Sequence, residues 1–233
     1  MINFNVIFIP LFDEESKSLT YIIGDHATRE VVVIDPVRAS HQRDLRLLNE
    51  VDLKVKYIIE THRHEDRITG ADMLRAATRS LICVGEHYET QLADKVLDCD
   101  DGLAVGSQKL RVLSTPGHSQ CSISIYFEPY IFTGESLTVR GCGRTDLNGG
   151  SQEMMYESVK SKIYSLPEET IVCPSHAKDG VFFTSIREER KFNNRLGDHV
   201  SKDKFHEKME NLRLFEPKKM KQILKSNSIL GKK

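Results

Sequence analysis

Short apolar runs alternate with turn residues along the chain, and most of these runs have the length of a β-strand. Ser40 is placed to cap a helix that carries Leu45 and Leu48 on one face. A second helix is predicted at about 68–78. Runs rich in β-branched residues predict the strands of this half at 6–9, 19–23, 31–34, 55–60 and 81–84, with a turn at Gly24-Asp25.

The second half repeats this order of strands and helices without obvious similarity of sequence. Ser151 can cap a helix, and a final apolar stripe holds Phe205, Met209 and Leu212. The strands of this half are predicted at 103–105, 109–113, 123–127, 130–132 and 170–173. Strands followed by helices, twice over, predict an α/β protein in which two mixed sheets are flanked by helices.

The length of the chain predicts a single domain with a basic tail. A chain of 233 residues suits one α/β domain, and 39% hydrophobic residues are enough to build a core. We place this domain at 1–214 and the tail at 215–233. Residues 217–233 contain six lysines and no acid, so the tail is expected to be solvated and partly frayed.

Charge and cysteine content narrow the function classes. The formal net charge is −1, which gives no general attraction to nucleic acids or membranes. Five cysteines without a C-x-x-C pair fit a reducing compartment. The N-terminal apolar run lacks a basic segment before it, and no run is long enough to span a bilayer. The expected location is the cytoplasm.

Residues that can bind a metal follow several predicted strands. His62 and His64 come just after the strand ending at Glu60, and alternate side chains of extended backbone project to the same side. His118 and Glu135 follow two later strands, and His176 follows a third. An H-x-H pair alone is more often incidental, and Glu135 alone would be an ordinary exposed acid. The joint pattern is what predicts a bound metal.

Two segments carry a resemblance to a known family. Residues 61–70 read Thr-His-Arg-His-Glu-Asp-Arg-Ile-Thr-Gly, which resembles the T-H-x-H-x-D-H-x-x-G signature of the metallo-β-lactamase superfamily. Residues 140–146 read Arg-Gly-Cys-Gly-Arg-Thr-Asp, which is similar to the glutathione persulfide dioxygenase (sulfur dioxygenase) branch of that superfamily. The similarity extends from about residue 19 to about residue 214.

The resemblance implies a metallo-β-lactamase αββα sandwich and a role in sulfur metabolism. Such enzymes hold one Fe²⁺ per chain and use O2 to convert glutathione persulfide to sulfite and glutathione; Zn²⁺ is the alternative metal. The resemblance implies that the iron ligands and catalytic residues of this chain are His62, His118 and Glu135, which stand at the family's ligand positions. His64 is a weaker ligand candidate. The resemblance also implies a homodimer and places three residues beside the metal: Asp66, Arg67 and His176.

Three departures from the family pattern fall inside this site. Glu135 stands where the branch has aspartate, and its extra methylene moves the carboxylate by about 1.5 Å. Arg67 replaces the last histidine of the signature, and a guanidinium cannot coordinate a metal. It repels a second dication and can pair with Asp66 or Glu135 instead. Ala177 and Lys178 replace an aspartate and a tyrosine.

Two arginines and one lysine are the candidates for substrate binding. Arg140 and Arg144 flank a Gly-Cys-Gly turn, and we expect one to bind substrate carboxylates and the other to be structural. Lys178 either offers the substrate a cation or faces water.

Two functions other than a persulfide dioxygenase stay open. The first alternative is a metal-dependent glutathione-thioester hydrolase of the glyoxalase II kind. The second is a catalytically impaired binding or regulatory homologue, since fold alone does not fix function.

Overall fold

The computed structural model describes residues 5–147 and 149–232, so the ends of the predicted domain and tail (Met1–Phe4 and Lys233) lie outside the described residues, as does Asn148. The chain divides into two compact units. The first comprises 1–97, 102–110 and 217–233, and the second 98–101 and 111–216. The predicted single domain at 1–214 stays a proposal.

The first sheet is mixed and six-stranded, and its strands follow in chain order. They are β1 (Val6–Asp13), β2 (Ser18–Asp25), β3 (Glu30–Ile34), β4 (Lys54–Glu60), β5 (Leu81–Gly85) and β6 (Lys95–Leu97). Strands β1 to β3 pair antiparallel, and β3 to β6 pair in parallel. Parallel neighbours need a crossover. The helices α1 (His41–Glu50) and α2 (Ala71–Thr78) supply it after β3 and β4.

The second sheet is also six-stranded, in the order β12-β11-β10-β9-β8-β7. Its strands are β7 (Gly102–Val105), β8 (Gln108–Ser114), β9 (Ile123–Phe127), β10 (Tyr130–Gly134), β11 (Ile171–Pro174) and β12 (Thr184–Ser185). The remaining helices are α3 (Gln152–Glu157), continued by a π-helical turn (Ser158–Ile163), α4 (Ile186–Phe192), α5 (Lys202–Glu210) and α6 (Met220–Asn227). Strands β10 and β11 are parallel neighbours, so their C-terminal ends meet at one edge.

The structure confirms the predicted strands and most helices, with shifted boundaries. Gly24 and Asp25 lie inside β2 rather than in a turn, because β2 pairs with β1 as far as Asp25. Ser151 caps α3 by accepting the amide hydrogen of Met154. Ser40 precedes α1, but its hydroxyl donates to Asp13 instead of capping the helix. The short strands β6 and β12 were not predicted.

The C-terminal segment is solvated in part, and the expectation that it is frayed is wrong for residues 220–227. Residues 220–227 form the helix α6, which belongs to the first compact unit. Ile223, Asn227 and Leu230 are buried although lysines surround them in sequence. Ile223 and Asn227, four residues apart, lie on one face of the helix, and Leu230 follows its end. Among residues 5–147 and 149–232, no helix combines the length and apolar character that crossing a bilayer requires.

Candidate metal centre

Each predicted ligand residue follows the end of a strand, as the sequence indicated. His62 and His64 come after β4, and His118 comes after β8. Glu135 directly follows β10, and His176 comes two residues after β11. Side chains at strand ends project from a rigid sheet into loops, where binding groups are usually found.

Asp35, at the end of β3, fixes the backbone next to His62 by hydrogen bonds with Thr61. Its carboxylate accepts hydrogen bonds from the Thr61 amide and the Thr61 hydroxyl, each at 2.7 Å. The Thr61 hydroxyl oxygen lies 3.0 Å from His62 Nδ1. Because the single hydroxyl proton goes to the carboxylate, Nδ1 of His62 is the donor in this contact. Its Nε2 then carries the lone pair that a metal needs.

His64 lies deeper than His62. Its Nε2 is 3.3 Å from Asp35 Oδ1 and 3.2 Å from Glu60 Oε2, and the side chain is fully buried. Its Nδ1 has no hydrogen-bond partner among the described residues. Ligand atoms of Asp35, His62 and His64 all lie within 4.8 Å of one another. Asp35 is absent from the predicted site, although its place at the end of the strand beside β4 was a usable signal.

Buried charges set the protonation of these carboxylates. Burial would raise the pKa of Asp35, but the charges of His64 and Arg67 and the hydrogen bond from Thr61 lower it to about 2. Burial raises the pKa of Glu60, and the contacts with His64 and Thr69 reverse this only in part. Asp35 is therefore the stable anion of the pair.

Arg67 places a permanent positive charge beside this cluster. It is buried, and its guanidinium lies 3.5 Å from Asp66 and 3.4 Å from His64 Nε2. The predicted pairing with Asp66 is confirmed. Its Nε has no hydrogen-bond partner among the described residues. Two potential metal ligands, His64 and Asp66, thus share their surroundings with a cation that cannot coordinate.

His118 is fixed through its ring in a similar way. Its Nδ1 lies 2.8 Å from the carbonyl oxygen of Arg144, and His118 is buried. A carbonyl can only accept, so Nδ1 carries the proton and Nε2 the lone pair. A carbonyl bonded to the remote ring nitrogen is the arrangement that orients metal-binding histidines.

Glu135 and His176 meet at the shared edge of β10 and β11. Nδ1 of His176 lies 2.7 Å from Glu135 Oε1. The Gly143 amide donates to the Glu135 carbonyl at 2.7 Å, and a Cβ at Gly143 would lie 2.8 Å from the Glu135 Cβ. The longer carboxylate thus occupies space that is open because residue 143 is glycine.

Comparison with known proteins identifies the family of this chain. The family model of the metallo-β-lactamase superfamily matches residues 14–176. The mitochondrial persulfide dioxygenase ETHE1 of Bos taurus is 33% identical over 97% of this chain and 89% of its own. The crystal structure of ETHE1 from Myxococcus xanthus has a TM-score of 0.93 and 39% identity, covering 97% of this chain and 100% of that one. The chain belongs to the persulfide dioxygenase branch of the metallo-β-lactamase superfamily.

The predicted fold class is also confirmed: the two mixed sheets and their helices form the metallo-β-lactamase fold. A hydrolytic member of the superfamily is similar over a smaller part. The hydroxyacylglutathione hydrolase of Klebsiella pneumoniae is 34% identical over 74% of this chain and 65% of its own.

The arginines of the segment that marks the dioxygenase branch both contact carboxylates. Arg140 donates to the buried carboxylate of Glu189 at 2.5 Å, and its backbone amide donates to the same group. Arg144 binds Asp146 through two hydrogen bonds of 2.7 Å, which brace the loop. The Asp146 side chain is 60% exposed, and Arg140 also pairs with the half-exposed Glu188 at 3.5 Å.

Lys178 and Cys142 differ in exposure. Lys178 is exposed, in a tight turn closed by backbone hydrogen bonds with Val181. Cys142 is buried, with its Sγ 4.0 Å from the sulfur of Met209. Burial raises the pKa of the Cys142 thiol to about 11. A buried thiol with so little thiolate at neutral pH is a poor nucleophile.

We expect Cys142 to resist alkylation in the native protein. At pH 8 a thiol with a pKa of about 11 is about 0.1% thiolate. Iodoacetamide at pH 8 followed by peptide mapping should label the exposed Cys99 and leave Cys142 unmodified. Denatured protein, in which all five cysteines react, is the control. Labelling of native Cys142 at the rate of Cys99 would contradict the assignment.

Proposed function

We propose that this protein is a mononuclear iron-dependent persulfide dioxygenase, which oxidises glutathione persulfide to sulfite and glutathione with O2. The observation that carries the proposal is the buried guanidinium of Arg67 within 3.5 Å of both His64 and Asp66. A second dication at His64 and Asp66 would be repelled by this charge. The site is therefore suited to one metal ion, as an oxygenase of this kind requires.

The donor set fits an iron ion. We propose His62, His118 and Glu135 as its ligands, since two imidazoles and one carboxylate are the usual set for non-haem Fe²⁺. Both imidazoles have the remote nitrogen engaged by an oxygen, which favours Nε2 as the ligand atom. His176 orients the carboxylate of Glu135. When bound, such an iron supplies the redox chemistry that joins O2 to sulfur.

Residues around these ligands have supporting roles in the proposal. His64 remains a weaker ligand candidate, because its Nε2 lies close to both Asp35 and Glu60. Asp66 and Arg67 set the local charge, and His176 acts through Glu135. Lys178, which is exposed, stays a candidate contact for an anionic substrate.

Arg144 is the better candidate of the two arginines for the carboxylates of glutathione. Its partner Asp146 is exposed and can be replaced by a ligand carboxylate, whereas Arg140 is held by the fully buried Glu189 as well as by the half-exposed Glu188. The carbonyl of Arg144 also accepts the hydrogen bond from His118. Arg144 would then both contact the substrate and orient the metal ligand His118.

A glutathione-thioester hydrolase is the second candidate, favoured by the similarity to hydroxyacylglutathione hydrolase. The charge of Arg67 opposes it, since it disfavours the second metal ion of the dinuclear relatives. An impaired binding or regulatory homologue is the third. A cytoplasmic location and a homodimer also stay proposals; the bovine relative is by its name a mitochondrial protein.

The function is tested by elemental analysis and oxygen uptake. We expect purified protein loaded anaerobically with Fe²⁺ to bind about one ion per chain. It should consume one O2 for each sulfite formed from glutathione persulfide. Zinc-loaded protein with a glutathione thioester is the matched assay for the hydrolase. Stoichiometric iron without O2 uptake would reject the dioxygenase, and recovery of uptake in Glu135→Asp would favour the impaired homologue.

Replacing Arg67 by histidine should change the number of metal ions. Arg67→His removes the buried cation and restores the signature ligand, so bound zinc should rise from about one ion toward about two per chain. Arg63→His is the control, because Arg63 pairs with Glu89 at the edge of the same loop. An unchanged zinc content in Arg67→His would show that its charge does not limit the site.

Replacing Arg144 should change the apparent KM, whereas replacing Arg140 should change the stability of the protein. Arg144→Ala should raise the apparent KM for glutathione persulfide about tenfold, the value of one charged hydrogen bond. Arg140→Ala should lower the free energy of unfolding by about 3 kcal/mol, because it leaves the carboxylate of Glu189 with one cation fewer. An unchanged KM in both variants would refute a substrate role for either arginine.

A further inference from the structure

The side chain of Asn227, at the end of α6, is hydrogen-bonded to the metal-binding loop. Its Nδ2 donates to the carbonyl oxygens of His64 and Arg67 at 2.8 and 2.9 Å. Its Oδ1 accepts the amide hydrogen of Thr69 at 3.0 Å. The side chain is fully buried. Three backbone groups of a loop with no regular structure thus depend on one amide that lies about 160 residues away.

The residues after Asn227 contact the same segment. The carbonyl of Leu230 accepts the amide hydrogen of Asp72, in the first turn of α2, at 3.2 Å. Gly231 has a φ of +73°, and a Cβ there would overlap the carbonyl oxygen of Thr69. We call residues 227–231 the C-terminal clamp. It holds the loop from His64 to the start of α2.

The three hydrogen bonds made by residue 227 require a side-chain amide. Asparagine offers two donors and an acceptor in one planar group, which matches two carbonyls and one N–H. An aspartate of the same shape keeps the acceptor but loses both donors, and its charge would face the two carbonyls. Buried backbone groups left without partners cost free energy, so the loop would move to find others.

We propose that Asn227 is a positioning residue of the metal centre. It fixes the carbonyls of His64 and Arg67, and thereby the backbone that presents the imidazole of His62 and the charge of Arg67. Metal–ligand distances must hold within about 0.2 Å, so a small shift of this backbone weakens binding. The inference rests on the proposed metal site, and it gives the basic C-terminal segment a function in that site.

The first test measures the loop without metal. In the full-length, metal-free protein, Asn227→Leu removes the acceptor of the Thr69 amide as well as both donors, so it should raise hydrogen exchange of that amide at least tenfold, while amides of β2 and β3 exchange as before. Leu48→Ala, which removes a buried side chain of α1 in the same unit, is the control for general destabilisation. It should not raise exchange at Thr69 selectively.

The second test measures metal affinity. Asn227→Asp should weaken Fe²⁺ binding about 10–100-fold, as loss of groups that orient ligands does. Excess Fe²⁺ should restore turnover, since Asn227 does not touch the substrate in this proposal. Gly231→Ala keeps the amide but disturbs the clamp, and should weaken binding in the same direction. Gly180→Ala is its matched control, because Gly180 has a φ of +80° with open space around it.

The outcomes separate this inference from the proposed function. Unchanged Thr69 exchange, or unchanged Fe²⁺ affinity in both Asn227→Asp and Gly231→Ala, overturns the clamp while the dioxygenase stands. A wild-type protein that binds no iron overturns the function, and the Thr69 exchange then decides the clamp alone. If Gly180→Ala weakens Fe²⁺ binding as much as Gly231→Ala does, the effect comes from backbone strain and the clamp is also overturned.

Discussion

The hydrogen bonds between Asp35 and Thr61 are the interaction on which the rest of the metal-binding loop depends. Strands β3 and β4 run in parallel, so Asp35 and Thr61 leave the sheet side by side. A buried carboxylate is costly unless donors surround it. Thr61 supplies two, and the permanent charge of Arg67 lies 4.0 Å from the carboxylate. The same contacts that stabilise the carboxylate fix the ring orientation of His62.

Arg67 makes this cluster different from a dinuclear site. In a site with two metal ions, the second dication would balance the surrounding carboxylates. Here the guanidinium lies 3.5 Å from Asp66 and 4.0 Å from Asp35 and provides positive charge permanently. The charge balance of the loop thus does not depend on a second ion. The loop follows the superfamily signature in sequence but has a permanent positive charge in place of its last histidine.

Local patterns of the sequence predicted the strands and the residues that follow their ends. The apolar runs before His62, His118 and Glu135 are long enough to identify β4, β8 and β10 without knowledge of their neighbours. Asn227 could not be found in this way, because its partners lie about 160 residues earlier and lysines mask the buried face of α6.

Short elements were missed for a related reason. Strand β6 has three residues and β12 has two, and both are defined by pairing with a neighbour rather than by composition. Asp35 precedes Pro36, and a single acid before proline is typical of a turn. Its role becomes visible only when β3 and β4 are adjacent.

The contact between Glu135 and His176 has an evolutionary consequence. Glutamate fits here because residue 143 has no side chain and because β11 presents a histidine at the adjacent strand end. A side chain at position 143 would overlap the Cβ and the backbone oxygen of residue 135, atoms that an aspartate has as well. Position 143 is therefore restricted to glycine whichever acid stands at 135. Selection at position 143 then acts on the backbone of the site and not on the choice of acid.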